Sequence, residues 1–217
     1  MPRSPWGTSE KSEKRGYHHG RLKEALIEAA RALVARHGPV GFTLAEAAKL
    51  VGVTAAAPYR HFTDRDELMS VVAKQGFENF RARLFAAWED GKPDPAEALK
   101  RMGRAYLAFA REEPGYYFTM FGHAQKLQNN GGHVAAQQAF DALAQAAGAV
   151  LMSRGVPADG ARQLAFEIWA MSHGVATLML GRHLEPGGDE CDPETILVGG
   201  VGAMIEKAIW MARKPEA

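Results

Sequence analysis

The sequence predicts an all-α protein of about nine helices, with a small helix-turn-helix unit followed by a larger helical body. Three observations carry that prediction. Apolar residues recur at steps of three and four along most of the chain, which places them on one face of a helix. Breakers punctuate these runs at Gly38-Pro39, Gly91–Pro95, Pro114-Gly115, 129–132, Gly155–Pro157 and Glu185–Gly188. No run reads as a strand, and no Asn-Gly hairpin or internal repeat is found.

Residues 1–16 are polar and rich in Lys, Ser, Gly and Glu, and read as a flexible basic arm. A first helix begins at about Gly20 with Leu22, Leu26, Ala29 and Leu33 on one side, and Gly38-Pro39 ends it. Thr43 is a good N-cap for a second, short helix through Leu50, with Glu46 completing a capping box. Gly52 supplies a tight turn. Thr54 then caps a third short helix through about His61. Pro58 lies four residues past that cap, so its missing N–H removes a first-turn hydrogen bond and a 3₁₀-like first turn is expected. Thr63–Glu67 starts a long fourth helix carrying Leu68, Val72, Phe77, Phe80, Leu84 and Trp88. Further helices are expected over 95–112, 133–153, 158–183 and 193–213, with YYFTMF at 116–121 as a short aromatic cluster. The domains are therefore an arm (1–16), a helix-turn-helix domain (17–63) and a larger body (64–217).

The chain has 217 residues, 47% of them hydrophobic, enough for a sizeable core. The net charge of +1 predicts no partner, but its distribution does. Residues 1–62 hold ten Lys/Arg against five Asp/Glu, and the remainder sixteen against twenty. A basic head on a slightly acidic body suits a polyanion-binding module joined to something that does not touch polyanions. The single cysteine, Cys191, excludes an intrachain disulfide framework and fits a reducing compartment. The adjacent His18 and His19 do not share a helix face, so no metal site is expected. The N-terminus lacks the apolar stretch of a signal peptide, and Ile168–Gly181 and Thr195–Ile205 are too short to span a bilayer. A soluble cytoplasmic protein with no membrane partner is expected.

Both of the last two helices are apolar over a wide arc. One carries Leu164, Ile168, Met171, Val175 and Met179 beside Ala165, Trp169, Ser172, Ala176 and Leu180. The other carries Val198, Val201, Met204, Ile205, Ala208 and Ile209, with Gly199, Gly200 and Gly202 allowing close backbone approach. Such helices need cover on most sides, which two subunits sharing a four-helix interface provide. A homodimer through 158–183 and 193–213 is predicted.

Residues 43–62, TLAEAAKLVGVTAAAPYRHF, are two short helices joined by a glycine-bearing turn, with the small Ala48 letting them cross closely. A helix-turn-helix places its second helix in the DNA major groove. From Tyr17 to Phe80 the chain resembles the DNA-binding domain of the TetR family of transcriptional repressors. The resemblance rests on Thr43, Ala48, Gly52-Val53-Thr54, Tyr59, His61-Phe62, Arg65 and Leu68. It implies double-stranded DNA as partner. Thr43 and Thr54 at helix N-termini, with Tyr59, His61 and Arg65, would meet phosphates. Ala55, Ala56 and Pro58 lie in the segment facing the bases, where alanine methyls can meet thymine methyls, and Arg60 is the one long donor on it. Lys14 and Arg15 in the arm would add minor-groove or phosphate contacts.

Trp169 and His173-Gly174 are similar to the Trp-His-Gly class of TetR ligand-binding domains. The implied effector site draws on Tyr106, Phe109, Tyr117, Phe121, His123, Trp169 and His173. The same aromatics also read as plain core, and His173 as an interface residue. Few cations lie among them, which favours a neutral, moderately large apolar ligand. The function implied is a homodimeric repressor released from a palindromic operator by such a ligand, with the long helix from Asp64 to Trp88 as lever. An activator or a ligand-independent regulator is the alternative. No catalytic residues, cofactor or metal site are visible, so an enzyme or carrier is disfavoured.

Overall fold

The protein was described from a computed structural model, which covers residues 21–39, 41–122, 132–184 and 192–214. These residues form eight α-helices: α1 (Leu22–His37), α2 (Leu44–Val51), α3 (Arg65–Trp88), α4 (Pro95–Glu112), α5 (Pro114–Gly122), α6 (Gly132–Ser153), α7 (Ala161–Leu180) and α8 (Pro193–Arg213). The expected arm, with Lys14 and Arg15, lies outside the described residues.

The head is set by local chemistry. α1 stops at Gly38, whose φ of 75° is open to glycine at little cost. The capping box on α2 is complete: the Thr43 hydroxyl accepts the Glu46 N–H at 3.2 Å, and the Glu46 carboxylate accepts the Thr43 N–H at 2.7 Å. The hydrogen bonds from Thr43 hold the Glu46 carboxyl below the usual range. Gly52 closes α2 in the left-handed region, φ 81° and ψ 29°, as the turn requires.

The third expected helix is corrected. Residues Ala57–Arg60 form only a 3₁₀ turn, capped by Ala56 rather than by Thr54. Pro58 is the cause. In an α-helix its N–H would bond the Thr54 carbonyl, but proline has none and its ring crowds that oxygen. The Thr54 carbonyl accepts the Ala57 N–H at 3.0 Å instead, tightening the chain into i→i+3 geometry. The aromatic cluster at 116–121 differs as well: it is the helix α5. Pro114 opens it, because an N–H is dispensable in a first turn.

Two apolar cores result. The head core gathers Leu26, Ala30 and Val34 of α1, Ala47 of α2, Phe62, and Leu68, Met69 and Val72 of α3. The body core holds Phe77, Phe80 and Leu84 of α3 with residues of α4 to α8. The boundary expected at residue 63 thus falls just before a helix that both cores share. Asp64 caps α3 by accepting the Glu67 N–H at 2.8 Å. Its other end is held by Arg101 of α4, which donates to the Ala87 carbonyl at 3.1 Å and the Lys92 carbonyl at 2.5 Å.

α5 is the second shared element, since Tyr116 and Phe118 pack against both cores. At its start a Cβ on Gly115 would overlap the Arg31 carbonyl of α1. Helix propensity alone predicts that Gly115→Ala stabilises by about 0.5–1 kcal/mol. The clash reverses the sign: a loss of about 1–3 kcal/mol is expected, or roughly 2–10 °C in thermal midpoint. Thermal unfolding of that variant checks the seam, and a raised midpoint would contradict it.

Candidate nucleic-acid interface and ligand cavity

Thr54, Ala55, Ala56, Tyr59 and Arg60 all lie exposed on the turn that follows α2. Tyr59 is 62% exposed, high for a large ring with no cover. His61 is half-buried, and Pro58 is buried, facing the core rather than outward. Phe62 beneath them is only 2% exposed and anchors the turn. The ridge therefore presents one aromatic hydroxyl, one guanidinium, one threonine and two alanine methyls.

Two expected phosphate contacts sit differently. Thr43 is exposed, but its hydroxyl donates to Glu46 at 2.9 Å within the capping box. Arg65 is turned inward: it donates to the Pro39 carbonyl, lies 4.7 Å over the Phe42 ring and stands 3.6 Å from Asp66. Its Nε is buried with no hydrogen-bond partner. In this arrangement Arg65 clasps the α1–α2 connection onto the start of α3. No spacing in the sequence signals that role, because it depends on Phe42 and Pro39 folding back over α3.

A cavity of about 200 Å³ opens among α3 to α8. Of the expected ligand residues, Tyr106, Phe121 and Trp169 line it. Tyr117 and His173 stand behind that wall. The His173 Nδ1 meets the Tyr117 hydroxyl at 2.8 Å and the Tyr106 hydroxyl at 3.3 Å, and Phe121 packs edge-on to the imidazole at 4.6 Å. Phe109 is fully buried against Phe80, 5.1 Å between centroids, and belongs to the core. His123 lies outside the described residues. The walls that sequence reasoning missed include Phe80, Met120, Leu143 and Leu197. Helical periodicity marks these as buried but does not tell a cavity wall from packed core.

Burial pushes the Tyr106 hydroxyl well above its ordinary value and holds the His173 imidazole below its own. Burial thus favours the neutral ring, and its Nδ1 meets tyrosine hydroxyls that burial also covers.

Beyond the cavity, α7 presents Phe166, Ala170, Gly174 and Leu178 along one exposed stripe, and α8 presents Gly199, Ala203 and Trp210. A Cβ at Gly174, Gly199 or Gly202 would meet open space.

Comparison with known proteins bears on both halves. Residues 26–72 match the family described as bacterial regulatory proteins of the tetR family, and residues 99–197 match the tetracyclin repressor-like C-terminal domain. The chain belongs to the TetR family of regulators. Among curated relatives, a nucleoid occlusion factor SlmA from Aliivibrio fischeri is 33% identical over 109 residues, 50% of this chain and 55% of its own length. The chain thus spans about half the length of the curated relatives it matches. A protein of unknown function from Rhodococcus sp. RHA1 superposes with a TM-score of 0.75 at 24% identity, over 89% of this chain and 98% of that one. The protein AibR, solved with isovaleryl coenzyme A and operator DNA, superposes with a TM-score of 0.64 at 21% identity, over 83% and 96%. These superpositions show that one shared fold extends over head and body alike.

The lowered His173 value has a defined consequence. A histidine depressed in the folded state contributes stability that is present above pH 6.5, its ordinary value, and is lost as the pH falls toward its folded value. His173→Gln should flatten the fall of the thermal midpoint below pH 6.5. An unchanged slope would show that the imidazole titrates as freely as in the unfolded chain.

Proposed function

We propose that the protein is a DNA-binding transcriptional regulator that acts as a homodimer on palindromic double-stranded DNA and releases it when a small molecule enters the body. One observation carries this reading: α3 and α5 each have residues in the head core and others in the cavity wall. A ligand that prefers one arrangement of Phe77, Phe80 and Phe121 thereby biases the position of the head. In the dimer such a bias changes the spacing of two DNA-reading ridges, and half-site spacing is what a palindrome reads.

The contacts to DNA are assigned to the exposed ridge. Tyr59 and Thr54 take phosphate oxygens, Arg60 takes a base edge or a phosphate, and Ala55 and Ala56 lie against the bases. His61 is secondary, being half-buried. Thr43 and Arg65 contribute mainly by holding α2 and α3 in place, with the Thr43 backbone near the DNA. Pro58 acts from the inside, by shaping the turn.

Dimerisation is assigned to α7 and α8. By length and composition alone α8 would also pass as a membrane span, with 22% of its apolar window buried. Its exposed face, however, carries Gly199, Ala203 and Trp210 in one stripe beside that of α7, with Glu206 within it and Lys207 at its edge, 3.0 Å from Glu167 of α7. That pattern suits a second copy of the same pair of helices better than lipid on all sides. No enzymatic role is assigned.

Gel retardation on the DNA upstream of the protein's own gene tests the reading. Tyr59→Ala and Arg60→Ala should each weaken retention by about tenfold, since a direct contact contributes on the order of 1–3 kcal/mol. Neither should lower the thermal midpoint, because both side chains are exposed. Retention equal to the parent in both variants defeats the ridge assignment.

Dimerisation is tested separately by Gly199→Arg, whose side chain has free space in the single subunit. Sedimentation should report a monomer with an intact helical spectrum. A persistent dimer places the interface elsewhere.

A further inference from the structure

We infer that the cavity takes a small hydrophobic carboxylic acid, with its apolar part enclosed and its carboxylate held at the rim by Lys100. This deepens the effector reading above and rests on it.

The size of the occupant follows from the volume. An apolar cavity of about 150 Å³ accepts a benzene. One of about 200 Å³ holds a single ring with a short substituent, or a short branched chain, rather than the moderately large molecule expected from the sequence.

The polarity of the occupant follows from the polar side chains among the described lining residues, which are Tyr106, Trp169, Ser172, Lys100 and His133. Two of these are already engaged. The Tyr106 hydroxyl meets His173 at 3.3 Å. The Ser172 hydroxyl donates to the Ile168 carbonyl at 2.8 Å. A ligand group reaching them must displace an existing bond, so this part of the wall rewards an apolar surface. At the mouth, spare polar capacity remains at Lys100 and His133. His133 is exposed, and the Lys100 side chain is 36% exposed, so both stand at the mouth.

Lys100 has the property that decides the ligand's charge. Its Nζ lies 2.6 Å from the Glu97 carboxylate, which engages one of three donors. It is the one Lys or Arg among the described lining residues. An occupant with a carboxylate at its outer end gains the remaining donors, whereas a neutral occupant of the same shape gains only burial. The amphipathic layout of the site therefore selects a single-headed anion.

The test uses the full-length protein and three probes of one shape class: phenylacetate, phenylacetamide and toluene, followed by calorimetry or by quenching of tryptophan fluorescence. Phenylacetate should bind about fivefold more tightly than phenylacetamide, the upper end of what a part-exposed ion pair contributes. Lys100→Met, which keeps the aliphatic stem, should erase that difference and leave toluene binding unchanged. Glu97→Gln, which removes the competing carboxylate, should tighten phenylacetate alone. Equal affinity for acid and amide, a preference that survives Lys100→Met, or no binding of any ring compound overturns the inference. Phenylacetate that binds through Lys100 but leaves DNA retention unchanged defeats the effector reading while sustaining the site.

Discussion

Head and body are joined where α5 begins, at a point with no room for a side chain. A Cβ on Gly115 would overlap the Arg31 carbonyl, so the two backbones approach as closely as packing permits. Ion pairs fix the register around that point. Arg31 meets Glu113 at 2.6 Å and Glu28 at 2.5 Å, and Arg83 of α3 meets Glu112 at 2.6 Å and Glu113 at 3.5 Å. Glu113 is thus shared between an arginine of the head and one of the lever helix. Exposed pairs contribute little alone, but Glu113 and Arg31 are both largely covered, which limits screening. The Arg31 guanidinium also lies 5.3 Å over the Tyr116 ring, so one side chain binds α1 both to α5 and to Glu113 just before it. A rigid seam is what allows a change in the body to move the head instead of being absorbed between them.

From this seam α5 runs directly into the cavity. Gly115 touches α1, Met120 and Phe121 line the pocket, and Tyr117 between them bonds His173 of α7. A nine-residue helix therefore connects the head, the ligand space and the helix that carries the exposed apolar stripe. The neutral His173 is central because it has two tyrosine hydroxyls to satisfy at one nitrogen, with the shorter contact to Tyr117. A ligand that shifted Tyr106 would alter that competition and so act on α5 through Tyr117, in addition to its contact with Met120 and Phe121. Coupling through a shared acceptor needs only a small displacement, which suits a cavity too small for a large one.

Much of this was legible from sequence, for identifiable reasons. α4 and α8 have the expected bounds because each starts at an acidic cap followed by proline, Asp94-Pro95 and Asp192-Pro193. The α2 capping box and the Gly52 turn were legible for the same reason: the controlling residues lie within four positions of one another. What local signals missed was three-dimensional. Pro114-Gly115 read as a plain break because the helix it opens is only nine residues long. Arg65 matches a family position for a phosphate contact, yet Phe42 and Pro39 draw it inward. Phe109 and Tyr106 fall three apart on one helix, and only the packing of Phe80 between the cavity and the core separates their roles.

The proline in TAAAPYRHF ties the local and the global together. Without Pro58 the segment would wind into an α-helix from Thr54 onward, and rotating it by the difference between 3.6 and 3.0 residues per turn would re-aim Tyr59 and Arg60. The observed turn instead buries Pro58 and Phe62 on one side and leaves Tyr59 and Arg60 side by side on the other. It is short, four residues, and its outward surface before Tyr59 is alanine. So short an element offers few polar atoms to base edges, and on the proposed reading the discrimination it lacks would come from where two copies are held relative to each other and from the shape of the DNA. In the proposed dimer the burden of specificity would fall on the subunit interface and on the seam at Gly115. A regulator of that kind would respond to a ligand for the same reason that it depends on geometry to choose its site.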